Sequence, residues 1–418
     1  MALVDYCRGG NLVALQTYCS REGVTAAQVC QAHALQVACE RGHLEVARWL
    51  QQTFQLTAAD ACAADDDALQ VACEGGHLEV ARWLQRTFRL TARDARAADN
   101  DALRGACEGG HLEVARWLQR TFRLTARDAR AMDNGALRGA CKGGHLEVAR
   151  WLQQTFQLTE VDARAMDNGA LLVACAHGRL EVARWLQQTF YLTALDARAG
   201  GNYALRTACG NGHLEIARWL QQTFQLTAVD ARAVNQDALL SACWGGHLEI
   251  VRWLQQTFQF TAADVRAHGN YALRWACERG HLEVARWLQQ TFQLTAADAS
   301  AQSNYALRMA CINNYLEILR WMQRTWGIPT DTLVYVLECI PKVSACAVYL
   351  RGLRALRWSP RTHADFPLPT RRLALHLLLI NQRLVCESGK PGEPGALPYL
   401  PPELWLHLLS YLPTYLPA

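Results

Sequence analysis

The chain has 418 residues, of which 51% are hydrophobic and 19% charged, enough apolar material for a large core. Its 42 basic and 38 acidic residues are closely interspersed and leave a formal charge of +4. No basic block stands out, which argues against an electrostatic grip on nucleic acid. The longest apolar run, residues 373–380 broken by His376, falls far short of the ~20 residues of a membrane span. With no signal-peptide pattern at the start, these features predict a soluble, intracellular, cytoplasmic or nuclear protein with no membrane partner.

Residues 1–32 read as a degenerate end unit. Cys7-Arg8-Gly9-Gly10-Asn11-Leu12 echoes a motif that follows in full, and Thr25 to Gln28 echoes its connector. The motif is Gly42-His43-Leu44-Glu45-Val46-Ala47-Arg48-Trp49-Leu50, and Gly42, Gly76, Gly110 and Gly144 stand 34 positions apart. The period continues through Gly178, Gly212, Gly246 and Gly280 to an eroded copy at Asn314. A fixed period of this size predicts stacked units that bury their apolar faces only against neighbours.

Residues 200–226 display one unit. Asn202 is the expected N-cap of a short first helix with Leu205, Ala208 and Cys209 inward. Gly212 is the expected left-handed residue after it, and Asn314 takes that place in the ninth copy. The second helix carries Leu214, Ile216, Ala217, Trp219, Leu220 and Phe224, with Glu215 and Arg218 on its wet side. The connector repeats Thr-x-x-Asp, as in Thr57 with Asp60 and Thr193 with Asp196, and predicts a short third helix. The Arg that follows most connector Asp residues by two positions is expected to leave the local charge near neutral.

Nine of the 16 cysteines, from Cys39 to Cys311, share one frame of the repeat. Stacked helices lie about 8–10 Å apart, beyond the roughly 7 Å Cα limit of a disulfide. They are expected to be reduced and buried, as in an intracellular protein. Seven histidines, from His43 to His281, also share one position, and such a ladder cannot converge on one metal ion. They are expected to hold the turn before the second helix, and the tryptophans from Trp49 to Trp321 to belong to the core. No Cys-x-x-Cys pair, phosphate loop, nucleophile elbow or catalytic grouping occurs, so neither cofactor nor metal is expected and enzyme activity is not indicated.

Tyr271-Ala272-Leu273-Arg274-Trp275-Ala276-Cys277-Glu278-Arg279-Gly280-His281-Leu282-Glu283-Val284-Ala285 resembles the ankyrin repeat at Leu273, Ala276, Gly280, His281, Leu282, Glu283 and Val284. The resemblance covers roughly residues 33–326. It departs in lacking the Thr-Pro that normally opens the first helix and in a unit one residue longer than the usual 33. Tetratricopeptide units share the 34-residue period, but their Trp/Gly/Tyr pattern is missing. The expected fold class is an all-α, ankyrin-like helical solenoid of about ten units with a helical C-terminal region. Its parts are a capping unit at 1–32, repeats at 33–326, capping helices at 327–386, a Gly/Pro linker at 387–399 and a docking helix at 400–418.

That last segment, with Leu400, Pro401, Leu404 and Leu408, is similar to the opening helix of an F-box, which docks on the Skp1-type adaptor of cullin ubiquitin ligases. Some viral ankyrin proteins end in a shortened F-box-like segment, although the 18 residues left here are fewer than a full F-box needs. A plain docking helix is the alternative. The resemblance implies a non-catalytic, monomeric scaffold for a protein partner, with a ligase substrate receptor as second reading and nucleic-acid binding as third. In ankyrin repeats, the variable first-helix and turn positions line the concave binding face. Early copies fill them with Asp67, Asp101, Gly105, Gly135 and Gly139, later copies with Tyr203, Trp244, Tyr271, Trp275, Tyr305, Met309 and Ile312. The later set is the expected partner contact, since Trp and Tyr dominate interface hot spots.

Overall fold

The structure, a computed structural model, describes residues 2–62, 67–327, 344–348 and 350, apart from the side chains of residues 234–237. The chain divides into two units, Met1–Phe260 and Thr261–Ala418. In each, every regular element among the described residues is a helix. This is the all-α repeat architecture that the period predicts. Residues 387–418, and most of 327–386, lie outside the described residues.

In the first unit a complete repeat runs through a connector helix, Ala194–Ala197, a first helix within Ala199–Gly210, and a second helix, Leu214–Phe224. The second unit repeats the scheme with Ala262–Glu278, Leu282–Phe292, Ala296–Ala299, Ala301–Ile312 and Leu316–Trp326. Leu205, Ala208, Cys209, Ile216, Ala217 and Leu220 are all buried, as the helical spacing requires. Burying a leucine such as Leu205 contributes about 1.5–3 kcal/mol before its lost freedom is counted. All nine framed cysteines are buried and unbridged.

The turn between first and second helix explains both its glycine and its histidine. Gly212 has φ +86°, and a Cβ there would come within 2.7 Å of the His247 ring. A non-glycine residue would therefore meet both backbone strain and a clash. Asn314 holds the same conformation at φ +60°. Histidine rings at this position reach back to a carbonyl of the preceding repeat: His77 to Glu40 at 2.9 Å, His213 to Ala176 at 3.1 Å, His247 to Gly210 at 3.1 Å. Arg179 makes the same reach with Nε, donating to the Lys142 carbonyl at 3.1 Å. The role is mechanical, so a second donor type replaces the first.

The tryptophans sit less deeply than the sequence suggests. Trp219 and Trp321 are buried, but Trp83, Trp117 and Trp151 are half-buried. Each packs edge-on against the aromatic residue five positions later, Trp219 against Phe224 at 5.5 Å and Trp321 against Trp326 at 4.9 Å. The ring contacts a face of its own helix while its rim meets solvent.

Connector helices form where Thr-x-x-Asp predicts them. Thr159 opens one with a capping box: its N–H and Oγ1 both donate to Asp162 Oδ2, at 2.8 and 3.1 Å. The chain then makes a left-handed turn of three residues, as at Ala98, Asp99 and Asn100 with φ of 47, 55 and 66°. Asn202 ends such a turn at φ +61°, and its buried Oδ1 finds no hydrogen-bond partner, so it does not act as the N-cap expected of it. Asparagine tolerates this backbone better than most residues, which accounts for its place there.

What ties successive repeats is a charge ladder. Where an Arg follows the connector helix, it does not neutralise its own neighbour. It grips the Asp 32 positions ahead, in the next connector helix. Arg96 binds Asp128, Arg130 binds Asp162, Arg164 binds Asp196 and Arg198 binds Asp230; the second unit pairs Arg266 with Asp298. In each, Nε and Nη2 face the two carboxylate oxygens, a fork-to-fork geometry that only arginine provides. Burial pushes the Asp162 carboxyl up, but its bonds to Arg130 and Thr159 outweigh that and hold it below the usual carboxylate range.

Candidate partner-binding face

The first helices of the second unit bring three of the expected residues together. Tyr271 and Trp275, one helical turn apart, stack with ring centroids 5.3 Å apart and 22° between planes. Residue Tyr305 stands 34 positions after Tyr271, at the same point of the next first helix. Between the two tyrosines lies Arg274, its guanidinium 4.7 Å from the Tyr271 ring and 4.1 Å from the Tyr305 ring. The Tyr305 hydroxyl donates to Glu278 at 3.0 Å, and burial, then that carboxylate, pushes its pKa up. His268 also stacks on Tyr271, with ring centroids 6.1 Å apart.

The result is a preassembled row of flat, polarisable surfaces with the Arg274 guanidinium between two tyrosines. Both tyrosines are half-buried, so the rings are held by their neighbours while part of each faces water. A partner would meet surface that loses little side-chain freedom on binding, the property that makes Tyr and Trp effective anchors. Ile312, at the end of the second of these helices, is 44% exposed, and Met309 is half-buried. Trp275 is half-buried as well, held by its stack on Tyr271.

The first unit carries its own aromatic first-helix positions. Tyr203 is 45% exposed, with the Arg206 guanidinium 5.2 Å from its ring centroid. Trp244 is 38% exposed. In the early repeats the same register holds half-buried Asp67 and Asp101 and buried Gly135 and Gly139.

Two features escaped the sequence reading. Arg206, Arg274 and Arg308 occupy one repeat position, after the buried leucine of each first helix, and all three guanidinium groups lie over tyrosine rings. Their spacing of 68 and 34 positions from one another, each three residues after a tyrosine, was the available signal. The connector helices of the first unit also expose an apolar row, Val161, Leu195 and Val229. Leu400, Pro401, Leu404 and Leu408 lie outside the described residues. Among the described residues no group of His, Cys, Asp and Glu could hold a metal ion, and no helix is long and apolar enough to cross a membrane.

Family models of ankyrin repeats match this chain over most of the repeat region. One, describing three copies, matches residues 3–94, 35–133 and 171–265. Another, describing many copies, matches residues 273–323. No curated protein matches the chain.

Proposed function

Because the chain belongs to the ankyrin-repeat family, whose members are in general protein-interaction modules, we propose that it is a non-catalytic scaffold binding a protein partner across the aromatic first-helix positions of its later repeats. The observation that carries this is the Tyr271–Arg274–Tyr305 sandwich with Trp275 stacked beside it. An interface gains from rigid, half-exposed aromatics around a cation. Tyr203, Trp244, Met309 and Ile312 extend the contact. The protein is monomeric in this reading and takes no cofactor. Nucleic-acid binding is disfavoured by the pairing of the connector arginines, each committed to an Asp of the next repeat.

The test is replacement of Tyr203, Tyr271 and Tyr305 by Ala, scored for partner affinity and helicity. Binding should weaken at least tenfold, ~1.4 kcal/mol, with helicity unchanged. A larger loss on replacing Asp67 and Asp101 by Ala would place the contact at the other end of the chain.

A second reading assigns residues 400–418 to an F-box-like helix that carries captured targets to a cullin ligase through a Skp1-type adaptor. It rests on Pro401 opening an amphipathic stretch with Leu404 and Leu408 at i,i+4. In that arrangement residues 1–32 cap the repeats of 33–326 at one end, 327–386 cap them at the other, and 387–399 link them to the adaptor helix.

A further inference from the structure

One rung of the arginine ladder is left open for want of its arginine. The position that carries Arg96, Arg130, Arg164 and Arg198 in later repeats holds Cys62 in an earlier one. Its counterpart 32 positions ahead is Asp94, at the register of Asp128 and Asp162. Asp94 is set up as the others are: Thr91 N–H and Oγ1 both donate to its Oδ2 at 2.7 Å. In the complete rungs the remaining acceptor, Oδ1, takes Nε of the arginine at 2.6 Å. Among the described residues no cation lies within ion-pair distance of Asp94, and nothing donates to its Oδ1.

The rung before it shows that a cysteine can close the gap. There Cys30 Sγ donates to Asp60 Oδ1 at 3.3 Å. Cys62 instead lines a space it shares with Asp67, which already accepts the Leu69 N–H at 2.7 Å. The consequence is a cavity of about 290 Å³ lined by Cys62, Asp67, Asp94 and Asp101 together with small alanines. Asp101 is already paired with Arg104 on its own helix. Asp67 and Asp94 repel each other across the space, and burial followed by that repulsion keeps the Asp67 pKa up. The thiol is no nucleophile, since burial, then Asp67 and Asp94, push its pKa up to about 12. Ala97 and Ala98 on the rim are exposed, so the cavity is reachable from water.

We propose that this cavity is a docking slot for the guanidinium of an arginine on a partner protein, which completes the rung that Cys62 leaves open. The template is the chain itself: five described rungs show what group this carboxylate is shaped to hold and in which orientation. The chemistry selects arginine over lysine, because a planar fork matches both oxygens and an ammonium meets only one. The slot lies among the acidic early repeats, and its existence does not depend on the aromatic face being used.

The experiment titrates N-acetyl-arginine methylamide, and its lysine counterpart, into the isotope-labelled full chain while following the amide signals of Thr91 and Asp94. The arginine probe should shift them saturably, with at least tenfold weaker response to lysine. Asp94→Asn should abolish the response. Cys62→Arg should abolish it too, by supplying the guanidinium internally, and should raise the melting temperature relative to Cys62→Ser. No saturable shift in the native chain, equal response to lysine, or undiminished binding in Cys62→Arg would each overturn the slot. A concentration-dependent dimer in sedimentation that Cys62→Arg dissolves would make the occupant a second copy and overturn the separate partner.

Discussion

Arg130 holds both carboxylate oxygens of Asp162, Nε to Oδ1 at 2.6 Å and Nη2 to Oδ2 at 3.0 Å, across 32 positions of chain. The same carboxylate caps the connector helix through Thr159. One side chain thus starts a helix and fastens it to the preceding repeat. Arg130→Ala should cost about 1–3 kcal/mol by leaving the buried Asp162 charge without its main partner. The lower end is expected because the arginine side chain is 39% exposed. A double-mutant cycle with Asp162→Ala, read by denaturant melts, checks it: a coupling near zero would mean the pair is incidental.

Stability should fall in two stages as pH is lowered. Burial, against the bond to the Glu74 carbonyl, holds the His111 pKa below its usual value, and burial does the same for His213. The unfolded chain therefore takes up protons first, so their contribution is whole above about pH 6.5 and drains away below it. The Asp230 pKa is lowered by Arg198, and those of Asp128, Asp162 and Asp196 also end below the usual range. Their contribution is present above about pH 4 and is lost as pH falls further. Urea midpoints measured from pH 8 to pH 3 should show both steps. A flat profile between pH 7.5 and 5.5 would contradict the histidine assignment.

The framed cysteines should be slow to label in the native protein. Cys73, Cys107 and Cys141 are fully buried, and burial raises their pKa; that of Cys277 reaches about 12. Both access and thiolate population are suppressed. Mass spectrometry after brief iodoacetamide treatment should find them unmodified in native protein and modified in denaturant. Fast native labelling of most would remove the core reading.

Removing residues 400–418 separates an adaptor helix from a cap. The ligase reading expects adaptor recovery to vanish from affinity capture while the thermal melt of the repeats stays in place. A melting temperature lowered by many degrees would make the segment a cap.

The repeat itself was legible because Leu205, Cys209, Ile216 and Leu220 recur at helical spacing and at a constant period, so burial could be read from position alone. The connector helix was legible through Thr193 and Asp196. The Arg130–Asp162 grip was not, because Arg130 also stands two residues from Asp128, and only the stacking offset decides which carboxylate it meets. Nor was the left-handed turn. Ala98-Asp99-Asn100 and Gln302-Ser303-Asn304 share it with little common chemistry beyond the final asparagine. At the aromatic face, Tyr271 and Tyr305 stood out as variable positions. Arg274 between them was not singled out, since an arginine three residues after a tyrosine can equally be a solvated charge.

The central claim is that the partner lies on the aromatic first helices, and hydrogen–deuterium exchange of the full chain with and without its partner tests it most directly. Added protection should concentrate on residues 203–210, 271–278 and 305–312. Protection confined instead to the connector helices bearing Val161, Leu195 and Val229, with the first helices unchanged, would contradict it.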